Sequence, residues 1–262
     1  MRVLLVTIDN APYLPELIET LINSRRDGIV GIVLAAERFH VKSSILKLGG
    51  IGLRRYGFRR FTFQFLRYLR FMISNVSKAL FEFRRFSSVK SVAGRYSIPV
   101  YHGKDINDDE FLAFIQSKLK PDVIVSIGCE QIFEKGILGL PGLGCINVHP
   151  SLLPKYRGPS PLFWVLANGE SETGVTVHYM DEKVDNGDII LQAKIVIGVG
   201  DTEHSLVGRA RELGASLLIQ ALEQIEEGRV SVIPNDGESA SYYSHPTDED
   251  IEGFIRRGGR FY

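Results

Sequence analysis

The sequence predicts an α/β fold: a mostly parallel sheet flanked by helices, with an antiparallel hairpin, a basic helical insertion and a small C-terminal appendage. Three observations carry this expectation. Short runs rich in Val, Ile and Leu (RVLLVT at 2–7, GIVGIVLA at 28–35, VIVSI at 123–127, GCINV at 144–148) read as strands buried on both faces. Apolar residues recur between them at helical spacing. Strand–helix–strand units of this size favour right-handed crossovers between parallel strands. At 262 residues and 44% hydrophobic, the chain can bury one large core, and its composition excludes global disorder.

The elements follow in order. After the first strand, Leu14, Leu17, Leu21 and Ile22 mark a helix over 13–24, and the second strand follows. The arrangement is Rossmann-like, but the first turn, TIDNAPYL, lacks G-x-G-x-x-G, which weakens a dinucleotide reading. Residues 98–101 form a short strand. Asn107 or Asp108 caps a helix ending before Pro121, with Phe111, Phe114, Ile115 and Leu119 on one face. A short helical stretch spans 132–138. Residues 162–167 read as helical. The runs 174–180 and 189–197, joined by Asp185-Asn186-Gly187-Asp188, read as an antiparallel hairpin. A long helix starts at Thr202 and ends at Gly228. The last thirty-odd residues are polar.

The formal net charge of zero conceals an uneven distribution. Residues 38–95 carry fourteen Lys or Arg and one acid, Glu82, so the remainder is acidic. Within this block Phe58, Phe61, Phe65, Leu69, Met72, Val76, Leu80 and Phe83 recur in steps of three and four. Three readings stay open for that amphipathic helix at 58–86. It packs on its own domain or on a second copy as a homodimer, it lies on a membrane surface, or it meets a phosphate-bearing or nucleic-acid partner. No run of about eighteen apolar residues occurs. The N-terminus is too short and too soon acidic for a signal peptide. Cys129 and Cys145 lack zinc-ligand spacing and read as buried free thiols. A cytoplasmic protein is the expectation, with peripheral membrane contact as a variant.

Chemistry concentrates at residues 145–190. In an open parallel sheet, ligands bind beyond the carboxyl ends of the strands, so the loops after Thr7, Ile127 and Val148 should border one crevice. Asn147 and His149 stand two residues apart on one strand and project to the same side. An Asn amide can stabilise a developing oxyanion, and a neutral imidazole can take a proton. Asp185 can orient that imidazole or hold a water. The absence of an obvious Ser or Cys nucleophile favours direct attack by the substrate. A zinc reading through His149, His178 and an Asp lacks a tight ligand pair. Lys155 and Arg157 are either solvated loop charges or ligands for an anionic substrate. Trp164 reads as helix packing.

The segments INVHPSLLPKYRGPSP and TGVTVHYMDEKVDNGDII closely resemble the folate-dependent formyltransferase family, most strongly over residues 121–196. The resemblance implies a catalytic domain at 1–200, containing the insertion at 38–95, followed by a C-terminal helix and appendage at 201–262. It implies transfer of a formyl group from 10-formyltetrahydrofolate to a primary amine, with Asn147, His149 and Asp185 as the catalytic trio and no metal. The donor would lie against the loops holding Gln131, Ile132 and Phe133 and Met180, Asp181, Glu182, Lys183 and Val184. The acceptor would meet Asn10, Lys155, Tyr156, Arg157 and Ser160. TIDNAPYL is unlike the glycine-rich loop of the ribonucleotide-specific branch, and RGPSP is closer to the methionyl-tRNA and sugar branches. The chain stops before the β-barrel that the tRNA branch uses. An amino-sugar, nucleotide- or lipid-linked, is therefore the expected acceptor. A methionyl-tRNA formyltransferase-like enzyme, a formyltetrahydrofolate hydrolase and a non-catalytic folate-binding or membrane-surface protein are the alternatives.

Overall fold

The structure, a computed structural model, describes residues 1–9, 13–36, 88–235, 237 and 239–261. The amphipathic run 58–86 and Asn10 lie outside the described residues. Seven strands form one sheet: β1 (Val3–Thr7), β2 (Ile29–Ala35), β3 (Val100–Gly103), β4 (Val123–Ile127), β5 (Cys145–His149), β6 (Glu172–Tyr179) and β7 (Ile189–Val196). Their spatial order is β3-β2-β1-β4-β5-β6-β7. The first five strands are parallel, and β6 and β7 are antiparallel additions, as the composition of the two sets of runs predicts.

Successive side chains of a strand face opposite layers. Leu4, Val6, Val33, Ile124 and Cys145 share one core with Ile115, Leu119, Phe133 and Ile137. Of the long helices among the described residues, α1 (Leu14–Arg25) buries Leu14, Leu17, Ile18, Leu21 and Ile22, and α6 (Glu203–Glu226) packs against α1, β6 and β7. Each such fully buried side chain contributes about 1.5–3 kcal/mol. Between them in sequence lie α2 (Val89–Arg95), α3 (Asp109–Phe114), α4 (Lys135–Leu138) and α5 (Pro161–Ala167); α7 (Asp248–Arg256) follows α6.

Three local features differ from the periodicity. The helix expected to reach Lys120 widens after α3 into a π-turn over Ile115–Leu119, closed by Lys120 N donating to Ile115 O at 2.8 Å. Lys120 is left-handed (φ 44°), because the residue before Pro121 is disfavoured in the helical region. Helix α2, capped by Ser88, emerges from the end of the basic block. Helix α7 begins with a capping box of Thr247 and Asp250, a signal present in the sequence as T-x-x-D. Phe254 of α7 is buried against Phe163 of α5.

Candidate active site

Register assembles the site. Thr7 pairs with Ile127, and Ser126 pairs with Asn147, so the carboxyl ends of β1, β4 and β5 lie side by side. Across the β5–β6 ladder, Asn147 stands opposite His178 and His149 opposite Thr176. The β6–β7 turn then carries Asp185 back over the strand ends.

Asp185 is the hub. Its Oδ2 accepts from the Gly158 amide at 2.8 Å and faces His149 Nδ1 at 3.4 Å. Its Oδ1 accepts from Asn147 Nδ2 at 3.3 Å and lies 3.7 Å from His178 Nε2. Burial works to raise its pKa, but His149, His178 and the Gly158 amide outweigh it and hold the carboxyl well below the usual range. Asp185 is therefore ionised near neutral pH.

The His149 tautomer follows from its partners. Nε2 lies 2.8 Å from the carbonyl oxygen of Tyr156, which can only accept, so Nε2 carries the proton. Nδ1 is then the vacant position, set against the Asp185 carboxylate. Burial lowers the imidazole pKa more than Asp185 raises it, so the ring rests neutral. A bare nitrogen facing a carboxylate becomes a favourable contact only when the ring gains a proton. The pair is thus a proton acceptor in waiting. Asp185 here stabilises the protonated ring, and the Tyr156 carbonyl sets the tautomer.

His178 is a site residue that the zinc reading weighed only as a ligand. Its Nδ1 donates to the carbonyl of Tyr179, leaving Nε2 to accept from Asn147 Nδ2 at 3.3 Å. The strand alternation that paired Asn147 with His149 could have found it, had the partner strand been known. Both amide hydrogens of Asn147 are thus engaged, with His178 and Asp185. The bonds are longer than the usual value of about 2.9–3.0 Å, so one can be exchanged for a developing oxygen. Among the described residues no cluster of three or more His, Cys, Asp or Glu side chains is arranged to hold a metal ion.

Loop hydroxyls are committed elsewhere. Ser151 Oγ donates to Lys155 O at 2.9 Å, and Thr176 Oγ1 donates to Ser151 O at 2.7 Å. Gly158 adopts φ 92°, and a Cβ there would collide with the carbonyl oxygen of Tyr243, so only glycine fits.

The remaining residues singled out from the sequence have varied placements. Gln131 is buried; its amide donates to Ala36 O and Lys104 O and accepts from Ile106 N, tying three loop ends together. The Phe133 ring belongs to the core. Ile132 (48%) and Val184 (37%) are exposed large apolar side chains. Met180 is half-buried against the core, and Asp181 Oδ2 accepts from Asn186 Nδ2 at 2.6 Å. Glu182 meets Lys135 of α4 at 3.4 Å, which brings the loop after β4 beside the β6–β7 turn; Lys183 is exposed. Two apolar side chains on adjoining loops beside polar groups suit a flat heteroaromatic ligand. On the acceptor side, Lys155 is exposed and Ser160 half-buried. Tyr156 stacks on Tyr243 with centroids 5.2 Å apart and donates to Glu170 at 2.7 Å. Burial pushes its phenol up to about 12. Arg157 donates to Asn186 Oδ1 at 2.8 Å and to Asn235. Trp164 stacks on Tyr243, as a packing residue should.

Fold and site together define a class: an α/β protein that sets a proton acceptor and amide donors at the carboxyl ends of its strands. The chain belongs to the formyl transferase family, whose profile matches residues 71–222. It is 46% identical over 156 residues to a methionyl-tRNA formyltransferase of Clostridioides difficile, covering 60% of this chain and 50% of that protein. It is 41% identical over 162 residues to one of Kosmotoga olearia, covering 62% and 52%. The chain spans about half the length of the curated relatives it matches. Among solved structures, a sugar N-formyltransferase from Shewanella sp FDAARGOS_354 matches 98% of this chain and 87% of its own, with TM-score 0.60 at 19% identity. A formyltransferase from Anoxybacillus kamchatkensis, in complex with UDP-4,6-dideoxy-4-formamido-L-AltNAc and tetrahydrofolate, matches 64% and 85%, with TM-score 0.51 at 25% identity.

Proposed function

We propose that this protein transfers a formyl group from 10-formyltetrahydrofolate to a primary amine by direct attack. The observation that carries the reading is the Asp185–His149 pair with its vacant Nδ1, alongside Asn147. The amine nitrogen attacks the formyl carbon, and the carbonyl oxygen becomes an oxyanion that Asn147 Nδ2 stabilises. The amine proton passes to His149 Nδ1, where Asp185 stabilises the imidazolium. Collapse breaks the bond to N10 of the folate, which leaves with that proton. Ile132 and Val184 supply the apolar cover for the donor. Family membership supports a folate-type donor.

For the acceptor, the sequence relatives favour the amine of methionyl-tRNA over the amino-sugar expected from the sequence. The amino-sugar remains a second reading, favoured by the likeness to the Anoxybacillus kamchatkensis enzyme. Incubation with 10-formyltetrahydrofolate and either charged initiator tRNA or a panel of nucleotide-linked amino-sugars, followed by mass spectrometry, separates the two. One acceptor should gain a single formyl group. Formate release that no amine accelerates would point to hydrolysis. Folate binding without turnover on any acceptor would defeat the catalytic reading.

A further inference from the structure

We infer that Asn235 and Arg157 are positioning residues for Asp185, setting where its carboxylate stands against His149. The inference rests on the proposed formyl transfer for its catalytic consequence, but its geometric content stands by itself.

The turn that carries Asp185 needs outside support. The last regular bond of the hairpin is Tyr179 N to Asp188 O, at 2.9 Å. Beyond it Asp185 adopts φ 48°, a left-handed conformation that a residue with a Cβ holds only when its surroundings impose it. Asn235, 2% exposed, comes from a segment fifty residues away and donates both Nδ2 hydrogens to this turn. They reach Asp185 O at 2.9 Å and Gly187 O at 3.0 Å. Arg157 grips the residue between them, donating to Asn186 Oδ1 at 2.8 Å, and donates also to the carbonyl of Asn235. Residues 185, 186 and 187 are therefore each held, and by two side chains whose residues are bonded to one another.

The Arg157 backbone lies between the two groups that define the proton acceptor. Tyr156 O fixes the His149 tautomer, and Gly158 N–H binds Asp185 Oδ2. The backbone of Arg157 itself pairs with Ser241 O and Tyr243 N at 2.9 Å each. Its guanidinium is directed at the turn, so Arg157 acts through Asp185. The groups facing His149 are Asp185, His178 and the Tyr156 carbonyl. Of these, Asp185 is the one whose place depends on Asn235.

The test compares the full chain with Asn235→Ala, Arg157→Lys and, as a control on the same segment, Val232→Ser, whose residue is exposed. The His149 titration is followed by NMR of histidine-labelled protein, with its resonance assigned through His149→Gln. Melting curves are recorded, and kcat and KM are measured for donor and acceptor. Withdrawing Asp185 from Nδ1 should lower the His149 pKa further in both variants. It should also cut kcat on the order of 10²-fold, as a misplacement of about 1 Å does, with KM for the donor within a few-fold. Val232→Ser should match the parent in all three. An unchanged His149 titration with only a lowered melting temperature overturns the inference, as does an Arg157→Lys protein altered only in acceptor KM. If Asn235→Ala does not fold, Arg157→Lys decides the matter, since it keeps the charge and the backbone bonds. If the parent protein formylates no amine, the proposed function fails, while the titration still tests the positioning.

Discussion

Replacing Asp185 by Asn removes one charge and almost no volume from the centre of the site. In the parent, a proton arriving at His149 Nδ1 sits 3.4 Å from the carboxylate. At an effective dielectric of about 20, that attraction is about 5 kcal/mol. Each 1.36 kcal/mol is tenfold in rate. Even if only half is felt in the transition state, kcat should fall on the order of 10²-fold, and about 4 × 10³-fold if all is. The introduced amide can also donate to the bare Nδ1 and occupy the lone pair that must receive the proton, which acts in the same direction. Steady-state kinetics with 10-formyltetrahydrofolate and the acceptor identified as above provide the assay, and KM for the donor should hold. The ascending limb of the pH profile, set by deprotonation of His149, should move to lower pH, because Asp185 is the larger of the two groups, with the Tyr156 carbonyl, that oppose the effect of burial on that ring. The parent should also lose stability on acidification in a way the variant does not. With its folded pKa depressed, Asp185 stabilises the fold above the unfolded carboxyl value, about 3.9, and that contribution is lost as pH falls toward the folded value. A variant retaining more than a tenth of parental kcat would refute the assigned role.

Gly158→Ala should lower stability by at least about 2 kcal/mol in urea unfolding, since its Cβ meets the Tyr243 backbone and its φ of 92° disfavours any side chain; equal midpoints would contradict the geometry. Gln131→Ala strands the buried amide hydrogen of Ile106 and releases the carbonyls of the exposed residues Ala36 and Lys104, and should cost roughly 1–3 kcal/mol while affecting the donor only through loop order. A raised donor KM at unchanged stability would instead mean direct contact. Burial pushes the Cys145 thiol up to about 12, so iodoacetamide at about pH 8 should leave it unmodified until the protein is denatured, as peptide mass mapping would reveal.

Legibility in the sequence followed the range of the forces involved. Strands β1, β2, β4 and β5 were readable because burial on both faces demands an unbroken apolar run. Helix α6 was readable because a one-sided burial imposes its period: of the residues at that spacing, Leu206, Ala210, Leu217, Leu218, Leu222 and Ile225 are buried and Leu213 is half-buried. Asn147 and His149 were legible as a pair because alternation along one strand is a local rule. The pairing of Asn147 with His178 depends on which strand adds to β5 and in what register, and a one-residue slip would have put a different side chain there. Nothing in the polar C-terminal stretch marks Asn235, whose meaning comes from a turn fifty residues earlier.

The sequence by itself determined the α/β architecture, the strand-end position of the candidate site and the three residues to which the proposed chemistry is assigned. Tertiary structure alone decided the protonation pattern. His149 carries its proton on Nε2 because a carbonyl from the next loop lies 2.8 Å away, and Nδ1 is open because a carboxylate from a distant hairpin faces it. Periodicity reports which side of an element is buried, since burial recurs with the geometry of the element. Hydrogen-bond direction depends on a single partner placed by the whole fold, and such a partner leaves no period to read.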